Sequence, residues 1–212
     1  MTSRPSTSPA PVTLTDRARR TFAGVLNRAA RVFVRLGIHP NVMTLTGVFG
    51  NFIAAYFLAQ GNWRIGGGLV IVMGAFDALD GAMARLRGES SAWGAFVDSV
   101  SDRYSELAIF FGLLWHYAQQ GDAVGVTLAY IAAAGSVLVS YVRARAASLG
   151  WDVKVGVLSR FERYLVLAPT LAVGLPKLGM TIVALGAHFT ALQRIAYMRR
   201  MVRQSSRRGD QK

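Results

Sequence analysis

Uncharged, mainly apolar stretches alternate with short polar segments along most of this chain. Two of them, residues 36–63 and 123–142, reach the roughly 20 residues that a helix needs to cross about 30 Å of hydrocarbon. Turns rich in Gly, Gln, Asn and Pro separate the apolar stretches. The pattern predicts an all-α integral membrane protein, and we expect six spans at about 41–61, 65–86, 92–120, 123–148, 157–175 and 178–202.

The segment before the first span has a different pattern. Apolar residues recur at helical spacing between Phe22 and Leu36, and arginines occupy the opposite face. We expect an amphipathic helix over residues 13–37 that lies in the inner interface with its arginines near anionic headgroups. A solvated charged helix is the alternative. The other predicted units are a disordered N-terminus rich in Ser, Thr and Pro at 1–12, one six-helix domain at 38–203, and a polar tail at 204–212.

Charge is scarce in this chain, but it is distributed very unevenly. Charged residues make up 17% of the 212 positions, and the net charge is +13. With six spans, all of the 24 Lys and Arg residues except Arg64 and Lys177 fall on one side, which the positive-inside rule identifies as the cytoplasm. We therefore expect a multi-pass protein of the cell membrane with both termini cytoplasmic. This segregation explains the basic composition without nucleic-acid binding, and the absence of cysteine excludes disulfides and thiolate metal sites.

Four aspartates interrupt the apolar pattern within the stretch DALDGAMARLRGESSAWGAFVDSVSD. Asp77 and Asp80 are three residues apart, and Asp98 and Asp102 are four apart, so each pair shares one face of a helix. A tight turn between the two helices would bring all four carboxylates together near the inner surface. Carboxylates in a span are costly and indicate a functional site. Four ionised carboxylates side by side also require cations.

Divalent metal ions are the cations that suit this cluster best. Hard oxygen ligands favour Mg²⁺, Mn²⁺ or Ca²⁺ over zinc. Two ions would fit, and such a pair commonly clamps a phosphoryl group during displacement. One alternative is a set of internal salt bridges to Arg85, Arg87 and Arg103. Another is a proton or cation pathway, such as a divalent-cation transporter or channel, but the acids lie near one surface rather than across the span.

The spacing Asp77-x₂-Asp80-Gly81-x₂-Ala84-Arg85-x₈-Gly94-x₃-Asp98-x₃-Asp102 resembles the complete signature of the CDP-alcohol phosphotransferases, also called phosphatidyltransferases. HPNVMT, at the start of the first span, is similar to a further element of that family. The resemblance implies a six-helix membrane fold, a homodimer, and a reaction in which an alcohol displaces CMP from a CDP-linked lipid such as CDP-diacylglycerol. It also implies two Mg²⁺ or Mn²⁺ ions held by Asp77, Asp80, Asp98 and Asp102, with Asp102 as general base, and CDP-lipid contacts at Asn41, Thr44, Asp77, Gly81, Ala84, Arg85 and Gly94.

Arginines outside the signature bear on the choice of acceptor. Arg143 and Arg194 each lie at the end of an apolar span, where a cation needs a partner. A phosphate on the acceptor would supply that partner. SYVRARA, RFERY and LQR resemble stretches of the prokaryotic phosphatidylinositol phosphate synthases, which implies that Arg143, Arg163 and Arg194 bind inositol phosphate. Glycerol-3-phosphate, which would give phosphatidylglycerol phosphate, is the alternative acceptor, because charge alone does not separate the two.

Overall fold

The structure is a computed structural model that describes residues 14–88 and 91–209. Over these ranges the chain is all-helical, as predicted, and forms seven helices. The predicted disordered segment 1–12, part of the predicted tight turn and the last residues of the predicted tail lie outside the described residues. The helices are α1 Leu14–Arg35, α2 Pro40–Ala59, α3 Trp63–Arg87, α4 Ala92–Gln119, α5 Ala123–Ser148, α6 Arg160–Ala172 and α7 Pro176–Gly209.

Three of the described helices, α2, α3 and α5, are long and apolar enough to cross a membrane. Helix α4 has 28 residues, but three charged residues, Asp102, Arg103 and Glu106, lie near its middle. Helix α6 has only 13 residues, which is about 20 Å of helix. The predicted fifth span, 157–175, is therefore helical over only part of its length. Helix α7, in contrast, continues to Gly209, past the predicted end at 202.

Local capping signals define the helix ends beside the aspartates. His39 precedes α2, and its Nδ1 accepts a hydrogen bond from the backbone N–H of Asn41 at 3.2 Å. Ser91 caps α4, where its Oγ accepts from the backbone N–H of Gly94 at 2.9 Å. Gly88 ends α3 in the left-handed conformation, with φ of 67°. These caps set where α2 and α4 begin and where α3 ends.

Helix α1 packs against α3 at the end of the bundle that carries the aspartates. Arg87, in the last turn of α3, donates from Nη2 to the carbonyl of Ile38 at 3.0 Å, just after α1 ends. The contact has its own small core, formed by Ala30, Met43, Leu79, Ala82 and Met83.

The main core fills the opposite half of the bundle. Leu58, Val70, Leu113 and Leu171 are buried there at the far ends of α2, α3, α4 and α6. Gly67 brings α3 directly against the backbone of α6, since a Cβ at this position would lie 2.8 Å from the Cα of Ala172. This close contact holds α6 beside α3 and so directs the beginning of α6 towards the aspartates.

Candidate active site and metal centre

Three of the four predicted aspartates meet between α3 and α4. Asp77 comes from α3, and Asp98 and Asp102 come from successive turns of α4. Each offers one carboxylate oxygen, and these three oxygens lie within 4.8 Å of one another. The i, i+4 spacing on α4 directs two side chains to the same neighbour. The structure thus concentrates negative charge from two helices at one point.

Asp80 is held slightly apart from this group by a residue of α2. The hydroxyl of Thr44 donates to Asp80 Oδ2 at 2.7 Å, and both side chains are buried. Asp80 nevertheless lies close enough to Asp77 and Asp98 to interact electrostatically with both carboxylates. Thr44 therefore orients the fourth carboxylate at the edge of the cluster and ties the start of α2 to α3.

Arg160, the first residue of α6, points into the aspartate cluster. Its Nη1 lies 2.7 Å from Asp77 Oδ2 and 2.6 Å from Asp102 Oδ1. The guanidinium carbon is 5.5 Å from the centre of the Tyr164 ring. The sequence pattern placed Arg160 only in a basic cytoplasmic segment. Its position three residues before Arg163, on the same helix face, was the signal that could have identified it.

Arg103 contacts the cluster from the other side of Asp102. Its Nη1 donates to Asp102 Oδ2 at 3.1 Å and to the carbonyl of Ser99 at 2.8 Å. Its Nη2 donates to Ser140 Oγ on α5 at 2.6 Å. Both terminal nitrogens of Arg103 are thus hydrogen-bonded, so the guanidinium is fixed and holds the Asp102 carboxylate in place. Part of the salt-bridge alternative is therefore real for Arg103, and Arg87 from the same set donates to a backbone carbonyl.

The three-aspartate group fits a divalent metal ion. Ligands on opposite sides of Mg²⁺ are about 4.2 Å apart, so oxygens within 4.8 Å of one another need only small adjustments. A set of carboxylate oxygens suits Mg²⁺ or Mn²⁺. Asp102 Oδ1 is buried, and within the described residues no donor makes an aligned hydrogen bond to it, although Arg160 lies nearby. This oxygen has a lone pair without an aligned hydrogen bond, but a metal ion or a proton would have to compete there with the charge of Arg160.

The other signature residues lie around the same end of the bundle. Asn41 and Arg85 are exposed, at the start of α2 and the end of α3. Gly81 and Ala84 are partly exposed on α3, and Arg85 Nη1 lies 3.5 Å from the position that a Cβ on Gly81 would take. Gly94 lies in the first turn of α4. Because Gly81, Ala84 and Gly94 have small side chains or none, they leave space for a ligand beside the aspartates.

Arg163 is enclosed in the bundle rather than exposed to a cavity. Only 1% of its surface is accessible, and its Nε and Nη2 donate to the two carboxylate oxygens of Glu106 at 2.8 and 3.0 Å. Its Nη1 also donates to the carbonyl of Leu158 at 3.3 Å. Glu106 was not predicted as a site residue. It follows Asp102 by four positions and so continues the acidic face of α4, which was the available signal.

Arg194 is buried, whereas Arg143 is exposed at the end of α5. Arg194 donates from Nε to the carbonyl of Val155 at 2.9 Å and from Nη1 to the carbonyl of Val139 at 2.6 Å. It lies close enough to Arg143 and Arg163 to feel both charges. The three arginines predicted for the acceptor therefore share one neighbourhood, in which two are enclosed and one faces solvent.

Known proteins share both the sequence and the fold. A sequence model of the CDP-alcohol phosphatidyltransferase family matches residues 37–192. Phosphatidylinositol phosphate synthase of Cutibacterium acnes is 36% identical over 76% of this chain and 79% of its own length. Archaetidylinositol phosphate synthase of Pyrococcus horikoshii is 35% identical over 80% of this chain and 88% of its own.

Solved structures of Mycobacterium tuberculosis phosphatidylinositol phosphate synthase are similar to most of this chain. The structure with CDP-DAG bound aligns with a TM-score of 0.75 at 30% identity, and the match covers 82% of this chain and 93% of that one. A second structure of the same protein, in complex with manganese and citrate, also gives a TM-score of 0.75 and covers 88% of that chain.

Proposed function

The chain belongs to the CDP-alcohol phosphatidyltransferase family, and we propose that within this family it is a phosphatidylinositol phosphate synthase. It would transfer the phosphatidyl group of CDP-diacylglycerol to a hydroxyl of inositol phosphate and release CMP. The observation that carries the proposal is the meeting of Asp77, Asp98 and Asp102, from two neighbouring helices, within a complete family signature. The names of the relatives from C. acnes and M. tuberculosis support inositol phosphate as the acceptor.

The proposed metal site comprises Asp77, Asp80, Asp98 and Asp102, which would hold two Mg²⁺ or Mn²⁺ ions. When bound, such ions neutralise a diphosphate and stabilise negative charge that develops on its oxygens. The carboxylate geometry supports this assignment, as does the manganese in a similar solved structure. Thr44 and Arg103 would act as outer partners that fix the orientation of the ligand carboxylates.

Asp102 is the proposed general base, and its environment supports that role. Its Oδ1 is buried without an aligned donor in the described part of the chain, while Arg103 holds the other oxygen. The acceptor hydroxyl would give its proton to Asp102 as its oxygen forms a bond to the β-phosphorus. The bond from that phosphorus to the CMP oxygen breaks, and the electron pair leaves with CMP. General-base assistance of this kind contributes about 10²–10⁴-fold to a rate.

The nucleotide end of the CDP-lipid would bind in the space that the small residues leave beside the aspartates. A diphosphate that approaches the aspartates there would meet the small residues Gly81 and Ala84 and the guanidinium of Arg85, whose Nη1 lies beside Gly81. Arg85 is exposed and its guanidinium can pair with a phosphate. The proposed CDP-lipid site comprises Asn41, Thr44, Asp77, Gly81, Ala84, Arg85 and Gly94.

The acceptor phosphate is assigned to Arg143, Arg163 and Arg194. Within the described residues, three of the five N–H groups of Arg163 are bonded. Glu106 would hold this guanidinium in a fixed plane. Because Arg163 is only 1% exposed, surrounding side chains would have to move before its remaining N–H groups bind phosphate. Arg143 is exposed and could close over a small polar ligand.

The proposed arrangement in the membrane has six spans, with α1 in the inner interface and the site open to the cytoplasm. The domain would comprise residues 38–203, and the protein would be a homodimer in the cell membrane with both termini cytoplasmic. The distribution of Lys and Arg supports this orientation. Because the chain has no cysteine, single-cysteine labelling provides a test. Ser205→Cys should react with a membrane-impermeant maleimide only from the cytoplasmic side, and Lys177→Cys only from outside.

A competition assay tests the activity and the acceptor together. Purified protein in detergent with Mg²⁺ and CDP-diacylglycerol receives equal concentrations of inositol phosphate and glycerol-3-phosphate, and mass spectrometry identifies the lipid product. We expect phosphatidylinositol phosphate and an equal amount of CMP. If phosphatidylglycerol phosphate is the main product, the acceptor is glycerol-3-phosphate and not inositol phosphate. A lack of CMP with either acceptor would overturn the enzyme proposal and favour a cation-transport role.

Two kinds of variant test the site residues. Asp98→Asn should abolish CMP release without changing the size-exclusion profile, whereas Lys177→Gln, at the opposite end of the bundle, should retain activity. Full activity of Asp98→Asn would contradict the metal assignment. Arg194→Gln should raise the KM for inositol phosphate more than the KM for CDP-diacylglycerol, and equal effects on both would argue against an acceptor site here.

A further inference from the structure

Arg160 bonds to the same aspartates that the proposed function assigns to metal. Its Nη1 lies between Asp77 Oδ2 and Asp102 Oδ1, at 2.7 and 2.6 Å. A divalent ion bound at about 2.1 Å from those two oxygens would come into contact with the guanidinium nitrogen. Two cations at that separation repel strongly. The arginine and a metal ion therefore cannot hold these two oxygens together.

We propose that Arg160 is an intramolecular competitor of the divalent ions, so that metal binding must displace its guanidinium from Asp77 and Asp102. The proposal rests on the metal site of the proposed function, and it concerns an arginine that lies outside the family signature. In this role Arg160 neutralises the aspartates until metal binds and sets the metal concentration at which the site fills.

Arg160 has the freedom that such an exchange requires. It is the first residue of α6 and follows the non-helical segment 151–159. Its side chain is 24% exposed, in contrast to the 1% of Arg163 on the next turn. Within the described residues its Nε has no hydrogen-bond partner, and the guanidinium also lies over the Tyr164 ring, 5.5 Å from the ring centre. The ring contact does not involve the aspartates, so metal binding has to break only the contacts with Asp77 and Asp102.

Arg103 provides the matched comparison, because it carries the same charge at the same carboxylate. It contacts Asp102 through the other oxygen, and Ser140 and a backbone carbonyl anchor it away from the cluster. It does not lie between two ligand carboxylates. Loss of Arg103 therefore removes a nearby positive charge without removing a competitor for the shared oxygens.

The test is the affinity for Mn²⁺, measured from the electron paramagnetic resonance signal of the free ion on protein in detergent. Arg160→Gln should bind Mn²⁺ about tenfold more tightly than wild type. Arg103→Gln removes an equal charge but also an outer partner of Asp102, so it should bind Mn²⁺ no more tightly than wild type. An unchanged or weaker affinity of Arg160→Gln would overturn the proposal. Equal gains in the two variants would also overturn it, since they would indicate general charge repulsion.

Thermal unfolding gives a second readout that does not depend on activity. In EDTA, Arg160→Gln should unfold at a lower temperature than wild type, and saturating Mn²⁺ should remove that difference. A purely structural ion pair would give the same deficit in both conditions. If Arg160→Gln does not fold, Arg160→Lys takes its place, since a lysine keeps the charge but cannot span both aspartates as a planar guanidinium does. It should bind Mn²⁺ more tightly than wild type, and unchanged affinity would count against the competition.

Failure of the inference can be distinguished from failure of the proposed function. If wild type binds no Mn²⁺, or if Asp98→Asn binds it as well as wild type does, the metal site itself is wrong. If wild type binds Mn²⁺ through Asp98 and Arg160→Gln does not tighten that binding, only the role of Arg160 is wrong.

Discussion

The buried pair between Glu106 and Arg163 joins α4 to α6 just beyond the aspartates, and its removal should be costly. Glu106→Ala would delete both carboxylate bonds, at 2.8 and 3.0 Å, and leave an arginine with 1% exposure in the bundle interior. Breaking a buried pair by removing one partner costs about 3–5 kcal/mol, because the other charge stays buried without compensation. For a chain of this size that corresponds to a decrease of about 6–20 °C in the unfolding temperature.

Differential scanning fluorimetry in detergent would measure the change, with an exposed ion pair as control. Lys177 pairs with Asp122 at the opposite end of the bundle, where the two side chains are 48% and 27% exposed. Solvent screens such an exposed pair, so it contributes little to stability. Lys177→Ala should therefore lower the unfolding temperature far less than Glu106→Ala does.

An apolar replacement of both partners separates the buried charge from the loss of packing. The double variant Glu106→Leu with Arg163→Met should recover most of the stability that Glu106→Ala loses, since no charge then remains in the interior. The reasoning fails if Glu106→Ala is no less stable than Lys177→Ala. It also fails if the double variant is as unstable as the single one.

Three further predictions concern other parts of the bundle. Thr44→Val should weaken Mn²⁺ binding about 10–100-fold, because valine cannot orient the aspartate to which Thr44 donates; Thr46→Val, whose hydroxyl bonds a carbonyl of its own helix, should leave binding unchanged, and equal effects would argue against the orienting role. Gly67→Ala should lower the free energy of unfolding by about 1–3 kcal/mol through overpacking against α6. Gly68→Ala, with nothing within 4 Å of its Cβ, should be neutral or stabilising by up to about 1 kcal/mol, and a matching loss at both positions would contradict the close helix contact. A hydrogen bond from the lysine at the start of α7 lowers the pKa of Asp122, so its contribution to stability is full above the ordinary aspartate pKa of about 3.9 and is lost as pH falls through the lowered pKa. The difference in unfolding temperature between wild type and Asp122→Asn should therefore be constant from about pH 7 to about pH 5 and shrink only below about pH 4, and its disappearance already at about pH 5 would contradict the pairing.

The sequence alone predicted most of the helices and the grouping of the aspartates, for simple geometric reasons. Apolar length predicts where helices can span a membrane, and turn residues separate them, so the bounds of α2, α3, α4 and α5 lie close to the predicted spans. Spacings of three and four residues place side chains on one helix face. In the structure α2 packs against both α3 and α4, and Asp77 of α3 comes close to Asp98 and Asp102 of α4.

The parts that sequence reasoning missed depend on contacts between distant helices. Hydropathy does not show that α6 begins only at Arg160, because residues 157–159, with which the predicted span began, are Val, Leu and Ser and carry no charge. Nor can spacing reveal that α6 packs on α3 and so turns this arginine towards Asp77. The turn of Asp80 towards Thr44 is a choice of side-chain rotamer, which a one-dimensional pattern does not contain.

Two arginines that pair with the acids of α3 and α4 are synthesised late. Arg160 follows Asp77 by 83 residues, and Arg163 follows Glu106 by 57. Helices α3 and α4 are therefore complete before the ribosome has made either arginine, and an ionised carboxylate has a high cost in hydrocarbon. Until α6 is made, Arg103 can pair with Asp102, but the other carboxylates must remain hydrated or carry protons. The charge pairing thus predicts an order of biogenesis, in which the bundle closes around the aspartates only after α6 has been synthesised.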